Sequence, residues 1–235
     1  MGTANKKTTK ATPASDPGPA NQVRAALEGT PQPFAAAVLR LLPLSKAWAV
    51  SGPGRSADTW RPEAAHVIVA SSLESSGTVV IHTGKHDYGV VLVLGDVRCR
   101  NLVVGSGFTL ACTGSLHVDE VLSASAADSV TYVGGQAHAF LVDSGSPAWL
   151  TLFAADALVA SHVTSYVMIG SKPLRSKKPR ADLSQLLVDE AVDRSEWDSM
   201  DDEDREGEDP TQYIYLSKES RRLLTAGKSI LRSPH

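Results

Sequence analysis

The sequence predicts an all-β fold: a single-stranded β-solenoid, or β-helix, with short N-terminal capping helices and an acidic C-terminal extension. Three observations lead there. Glycine-anchored segments recur at a nearly fixed period, the residues around each anchor alternate between apolar and polar, and negative charge gathers in one late run.

The repeats are VLVLGDVRCRNL (91–102), LACTGSLHVDEV (110–121) and TYVGGQAHAFLV (131–142), which superpose on Gly95, Gly114 and Gly135 with spacings of 19 and 21 residues. A period of about twenty, with strand-forming residues on both sides of a turn residue, is how stacked structural repeats are written. Two residues before the anchor stand Val93, Cys112 and Val133; two after it stand Val97, Leu116 and Ala137; four after it stand Cys99, Val118 and Ala139. Those columns are apolar and of modest size, as a narrow interior requires. Between them fall Asp96, Ser115 and Gln136, then Arg98, His117 and His138, polar in every repeat. A period of two leaves one face buried and one wetted. Stacked strands lie about 4.8 Å apart, so column mates touch. His117 is therefore expected over His138, and Arg100 beside Asp119 as an exposed cross-strand ion pair. An antiparallel meander shows the same alternation and is the plainer alternative.

A chain of 235 residues holds one domain and its tails. The 6% aromatic content favours thin β architecture over an aromatic-filled core. With no run of 18 apolar residues and no apolar signal core after the first lysines, neither membrane insertion nor export is expected, and the location predicted is cytoplasmic. Cys99 and Cys112 both fall on inward columns, so buried reduced thiols are expected.

Residues 1–20 mix Lys6, Lys7 and Lys10 with prolines and bury too little to offset the entropy of ordering, so a disordered leader is expected. Residues 21–63 form a helical cap and an irregular connection. Asn21 caps a helix ended by Gly29, and Pro33 opens a stronger one stopped by Pro43. Laid across the first turn, such helices would cover an open coil end; a partner-binding helix is the alternative. Gly52, Pro53, Gly54 and Pro62 then punctuate a stretch held by Trp48 and Trp60.

Residues 64–170 are read as the solenoid, with strands at 66–70 and 78–82 first and at 149–153, 157–160 and 166–169 last. His82, His86 and Asp87 are the compact cluster of metal-ligand types, but Gly84 argues against the helix a two-histidine clamp needs. A polar turn is the reading adopted, with no metal and no cofactor. No Gly-rich phosphate loop and no Gly-x-Ser-x-Gly elbow occurs, so no catalytic constellation is assigned.

Residues 171–235 open on a basic hinge, Lys172, Arg175, Lys177, Lys178 and Arg180, without the aromatic interleaving of a nucleic-acid site. Between Asp189 and Asp209 stand twelve carboxylates against Arg194 and Arg205, a segment charge of −10. The whole chain is −3, so the remainder carries +7. Such asymmetry marks a tail folded back on its own protein or a lure for a basic partner. Trp197 supplies an apolar anchor beside Asp198, Asp201, Asp202, Glu203, Asp204 and Glu206. Residues 213–216 read as a strand, and Ser217 caps a helix stopped at Gly227.

The stretch 91–126 resembles the bactofilin-like short β-solenoids of bacteria, whose turns run apolar strand, Gly-Asp, alternating strand, Asn-Leu-Val-Val; here these are Gly95, Asp96, Asn101, Leu102, Val103 and Val104. The closing Leu224, Gly227, Lys228, Ile230 and Leu231 resemble solenoids found beside polymorphic toxins. The resemblance implies an immunity protein that blocks a basic toxin or effector domain, or else a polymer built end to end; the helices and acidic section depart from the polymer pattern. On this reading the chain is not an enzyme. Its partner is a protein, contacted by Trp197, the carboxylates around it, and Arg98, His117 and His138. Membrane and nucleic acid are disfavoured, and a homo-oligomer is allowed.

Overall fold

The computed structural model describes residues 19–41, 48–52, 54–124, 126–144, 150–153, 158–164, 167–169, 172–174 and 182–232. Residues 1–18 of the expected leader, and Arg175, Lys177, Lys178 and Arg180 of the basic hinge, lie outside the described residues, while Pro19 and Ala20, read as the end of that leader, belong to the first helix.

Two helices come first, α1 (Pro19–Leu27) and α2 (Gln32–Leu41), separated by Gly29 in the left-handed region at φ +86°. The strands that follow wind as a coil. They are β1 (Ala49–Ser51), β2 (Gly54–Ser56), β3 (Thr59–Trp60), β4 (His66–Val69), β5 (Leu73–Ile81), β6 (Gly89–Val93) and β7 (Val97–Val104). Next come β8 (Phe108–Cys112), β9 (Leu116–Val118), β10 (Val121–Ser123), β11 (Val130–Val133) and β12 (Ala137–Asp143). β13 (Leu150–Leu152), β14 (Leu158–Val163), β15 (Val167–Ile169) and β16 (Lys172–Leu174) complete it. One sheet runs β1-β4-β6-β8-β11-β13-β15-β16; the other stacks β2 and β3 on β5, then β7, β9 and β10, β12 and β14. Within these two sheets every pairing among the described residues is parallel except β15 with β16, so the meander is excluded and the solenoid stands.

The predicted columns are the observed ones. Val93 pairs with Cys112 and Cys112 with Val133; Val97 pairs with Leu116 and Leu116 with Ala137. At the anchors the backbone forms its own ladder: Gly114 donates to the Gly95 carbonyl at 3.0 Å and Gly135 to that of Gly114 at 2.9 Å. A methyl on Gly114 would lie 2.2 Å from Asp96 Oδ1 and 2.8 Å from the Gly95 carbonyl carbon. Only glycine lets successive turns approach this closely. The next corner residue caps the turn above it, with Asp96 Oδ1 accepting from Ser115 N at 2.9 Å and Ser115 Oγ from Gln136 N at 3.1 Å.

Each turn has three sides because the buried parity slips once inside the second sheet. Val97 and Cys99 point inward, then Leu102 and Val104 do. The slip falls at buried Asn101, whose Oδ1 accepts from Val121 N at 3.1 Å and whose amide reaches Glu120 at 3.4 Å. In the next turn it splits the run into β9 and β10. Cys99 and Cys112 are buried free thiols, and burial pushes both up to about 12.

Two sides are covered by the chain's own ends. Val23, Leu27, Phe34 and Val38 of the helices pack on Ile68, Leu92 and Ala111, the outward residues of β4, β6 and β8, and the Phe34 ring meets Phe153 edge-on at 5.4 Å. The helices therefore lie along a flank of the coil, across successive turns, instead of over its first turn. The physical reason is area: a column of apolar residues running up the coil offers a helix more to bury than one strand edge does. The coil also starts earlier than residue 64. β1 pairs with β4, and β2 and β3 with β5, so the stretch read as an irregular connection forms its first turn.

The second covered side presents Val103, Val121 and Leu141, buried beneath residues 183–231. This segment contains α3 (Leu183–Leu186), β17 (Val192–Asp193), α4 (Ser195–Ser199), α5 (Asp202–Arg205), β18 (Tyr215–Leu216) and α6 (Lys218–Thr225). Leu183, Leu187, Ala191, Ile214, Leu224 and Ile230 form its contact face. As predicted, Ser217 caps α6, accepting from Ser220 N at 3.1 Å, and Gly227 takes the left-handed turn at φ +76°.

Candidate binding face

With two sides covered, the side formed by β2, the first halves of β5, β7 and β12, and β9 is left. Its outward column is continuous through the turns: Arg55 pairs with Glu74, Glu74 with Arg98, Arg98 with His117, His117 with His138 and His138 with Val159. Parallel, in-register stacking fixes the spacing of these side chains at about 4.8 Å, so the column is a rigid ruler of functional groups. An open groove of about 910 Å³ runs along it, lined by Arg55, Ser56, Glu74, Ser75, Arg98, Cys99, His117 and Asp119 among others.

The charges are locally paired. Arg55 Nε lies 3.7 Å from Glu74, and Arg98 Nη2 lies 3.4 Å from Asp96. Both pairs are exposed, so they orient side chains more than they stabilise the fold. The His117 and His138 rings stack as the register requires, centroids 5.0 Å apart and planes 15° from parallel. His138 Nε2 is 3.2 Å from Gln136 Oε1. Burial, then the Arg98 charge and the facing His138, hold His117 below the ordinary histidine value; Asp96 and Asp119 pull weakly the other way.

The expected pair of Arg100 with Asp119 is not formed. Arg100 turns instead to the main-chain carbonyl of Gly227, just past the end of α6. A helix C-terminus offers unsatisfied carbonyls and negative potential, and here it outcompetes a solvated carboxylate.

The acidic residues named from sequence form a second, separate cluster. Asp198, Asp201, Asp202, Glu203, Asp204 and Glu206 are all exposed on or beside α4 and α5. Trp197 is half-buried by its own segment. Its ring lies 5.9 Å from that of Tyr213, the Arg205 guanidinium sits over it at 5.5 Å, and Arg205 also donates to the carbonyls of Trp197 and Asp198 at 3.2 and 3.0 Å. Trp197 thus organises the acidic segment from within.

His82, His86 and Asp87 occupy a turn as predicted. His82 Nδ1 accepts from Gly84 N at 3.0 Å and its ring packs on Phe108 at 5.1 Å. Arg55, Glu74 and Val159 belong to the face and were missed, although the alternation of Leu73, Glu74 and Ser75 carries the signal. No described helix is long and apolar enough to cross a membrane. No protein family, curated protein or solved structure matches the chain.

Proposed function

We propose that this chain is a non-enzymatic bacterial binding protein, an immunity-type protein that neutralises a basic toxin or effector domain. The observation that carries the reading is the division of the coil: two sides are buried by the chain's own segments, while the third keeps an aligned column of polar and charged groups in solvent. A face whose backbone is held by strand register spares a partner the cost of ordering a loop, which favours affinity. The exposed carboxylates from Asp198 to Asp209 add long-range attraction for a cationic cleft and raise the association rate. The resemblance to solenoids found beside polymorphic toxins supplies the partner class.

The test is affinity capture with wild type and with Asp201→Asn, Asp202→Asn, Glu203→Gln and Asp204→Asn combined, followed by association kinetics on the protein retained. The combined variant should associate more slowly and with a shallower salt dependence. Unchanged kinetics would remove the acidic segment from the contact.

A second reading, a scaffold assembling through coil ends, has one observation in its favour. The helices leave the first turn uncovered, and Val50 on β1 is 48% exposed there. At the other end β16 pairs antiparallel with β15, a reversal of the parallel stacking that runs through the rest of the sheet.

A further inference from the structure

The His117–His138 stack lies in the middle of the binding face, and its surroundings are few and nameable. From β7 comes Arg98, with Asp96 at the preceding corner; from the end of β9 comes Asp119; from β12 comes His138 itself with Gln136; from β14 comes Val159, which carries no charge. Arg55 and Glu74 continue the column below Arg98. With both imidazoles neutral, two arginines face three carboxylates and the patch is slightly negative. Protonation of both rings makes it positive and sets three cations in consecutive turns: Arg98, His117 and His138.

We infer that the stacked pair is a proton gate on this face: neutral imidazoles admit a basic partner, and protonated ones expel it. The inference rests on the proposed basic-partner function and adds its regulation. The physics is direct. Histidine is the side chain whose charge changes between about pH 5 and 8. The stacked His138 ring is one of the groups that hold the neighbouring His117 imidazole in its neutral form. A cationic partner that contacts the column disfavours protonation further, and by linkage protonation weakens the partner by the same factor. The stacking also keeps the response local, because both rings are held by the strand register and not by flexible loops.

The first test needs no partner. Histidine ring resonances of the full chain are followed by NMR across the titration in wild type and in His138→Gln. The His117 midpoint is expected below the ordinary value in wild type and should rise when the facing ring is removed. A His117 midpoint that does not move in His138→Gln would overturn the coupled gate. The second test uses a fluorescent octa-arginine peptide as the probe, at low ionic strength, with wild type and with His117→Gln/His138→Gln. Binding to wild type should weaken severalfold from about pH 7.5 to about pH 5.5, and the double variant should lose that difference. Equal pH dependence in both proteins would overturn the gate while leaving the basic-partner reading intact. Failure of the peptide to bind at either pH would overturn both.

Discussion

Arg100 on β7 donates its guanidinium to the main-chain carbonyl of Gly227, 127 positions further along the chain. Arg61 does the same to Thr225 at 3.2 Å. Two arginines of the coil thus hold the C-terminal end of α6, where helix carbonyls lack partners. Replacing Arg100 by Met keeps the apolar stem and deletes the charged hydrogen bond, which is worth about 1–3 kcal/mol. Hydrogen exchange should speed up across residues 218–225 and remain slow in β6, β8 and β11. Uniform acceleration through the coil would mean that the latch is part of global stability instead.

The glycine ladder gives a sharper contrast. Gly114→Ala places its methyl against backbone of the turn below, whereas Gly52→Ala meets nothing within 4 Å. Overpacking typically costs about 1–3 kcal/mol; the Asp96 carboxylate can turn aside, but the backbone atoms Gly95 C at 2.8 Å and Asp96 N at 2.9 Å cannot. Denaturant midpoints should fall for Gly114→Ala and stay unchanged for Gly52→Ala.

Cys99 and Cys112 should be inert in the folded chain. Thiolate is the reactive form, and burial pushes both thiols up to about 12. A thiol reagent at neutral pH should label neither until denaturant is added. Rapid labelling of either in native buffer would contradict their inward placement.

His117 should leave a signature in the pH dependence of stability. Its folded value lies below its unfolded one, so the unfolded chain binds the proton first as pH falls. Stability is therefore lost as pH drops from the ordinary histidine value toward the folded one, and is regained above it. Comparing wild type with His117→Gln by denaturant titration should show a shallower acid-side decline in the variant. Parallel curves would refute the assigned direction.

The coil was legible because Gly95, Gly114 and Gly135 mark the same corner in three turns, and because inward columns tolerate only small or branched apolar residues. The earlier turns were hidden where Ser71 and Ser72 hold the corner below Gly95 and Asp96. No repeating glycine announces β2 or β3. The flanking positions of the helices were missed for a different reason. In β4, β6 and β8, HVIV, GVVLV and FTLAC, apolar residues stand at both parities instead of alternating with polar ones, which signals burial on both faces of a parallel strand. Ile68, Leu92 and Ala111 were telling that something covers them. Val103, Val121 and Leu141 said the same for the C-terminal segment. The face itself was half legible: Arg98, His117 and His138 came from the repeat, while Arg55 and Glu74 became visible only once β2 and β5 were seen in register. Arg100 was misassigned because sequence columns show cross-strand neighbours and not the segment that folds back over them.

On the proposed function, the coil presents a side to a partner instead of growing from its ends. Size-exclusion chromatography with light scattering on the full chain, at low and moderate salt, tests it most directly. One sharp species is expected, the 24.8 kDa chain or a small closed oligomer of it, independent of concentration. A ladder of ever larger species that grows with concentration would contradict it and make end-to-end assembly the function of the coil.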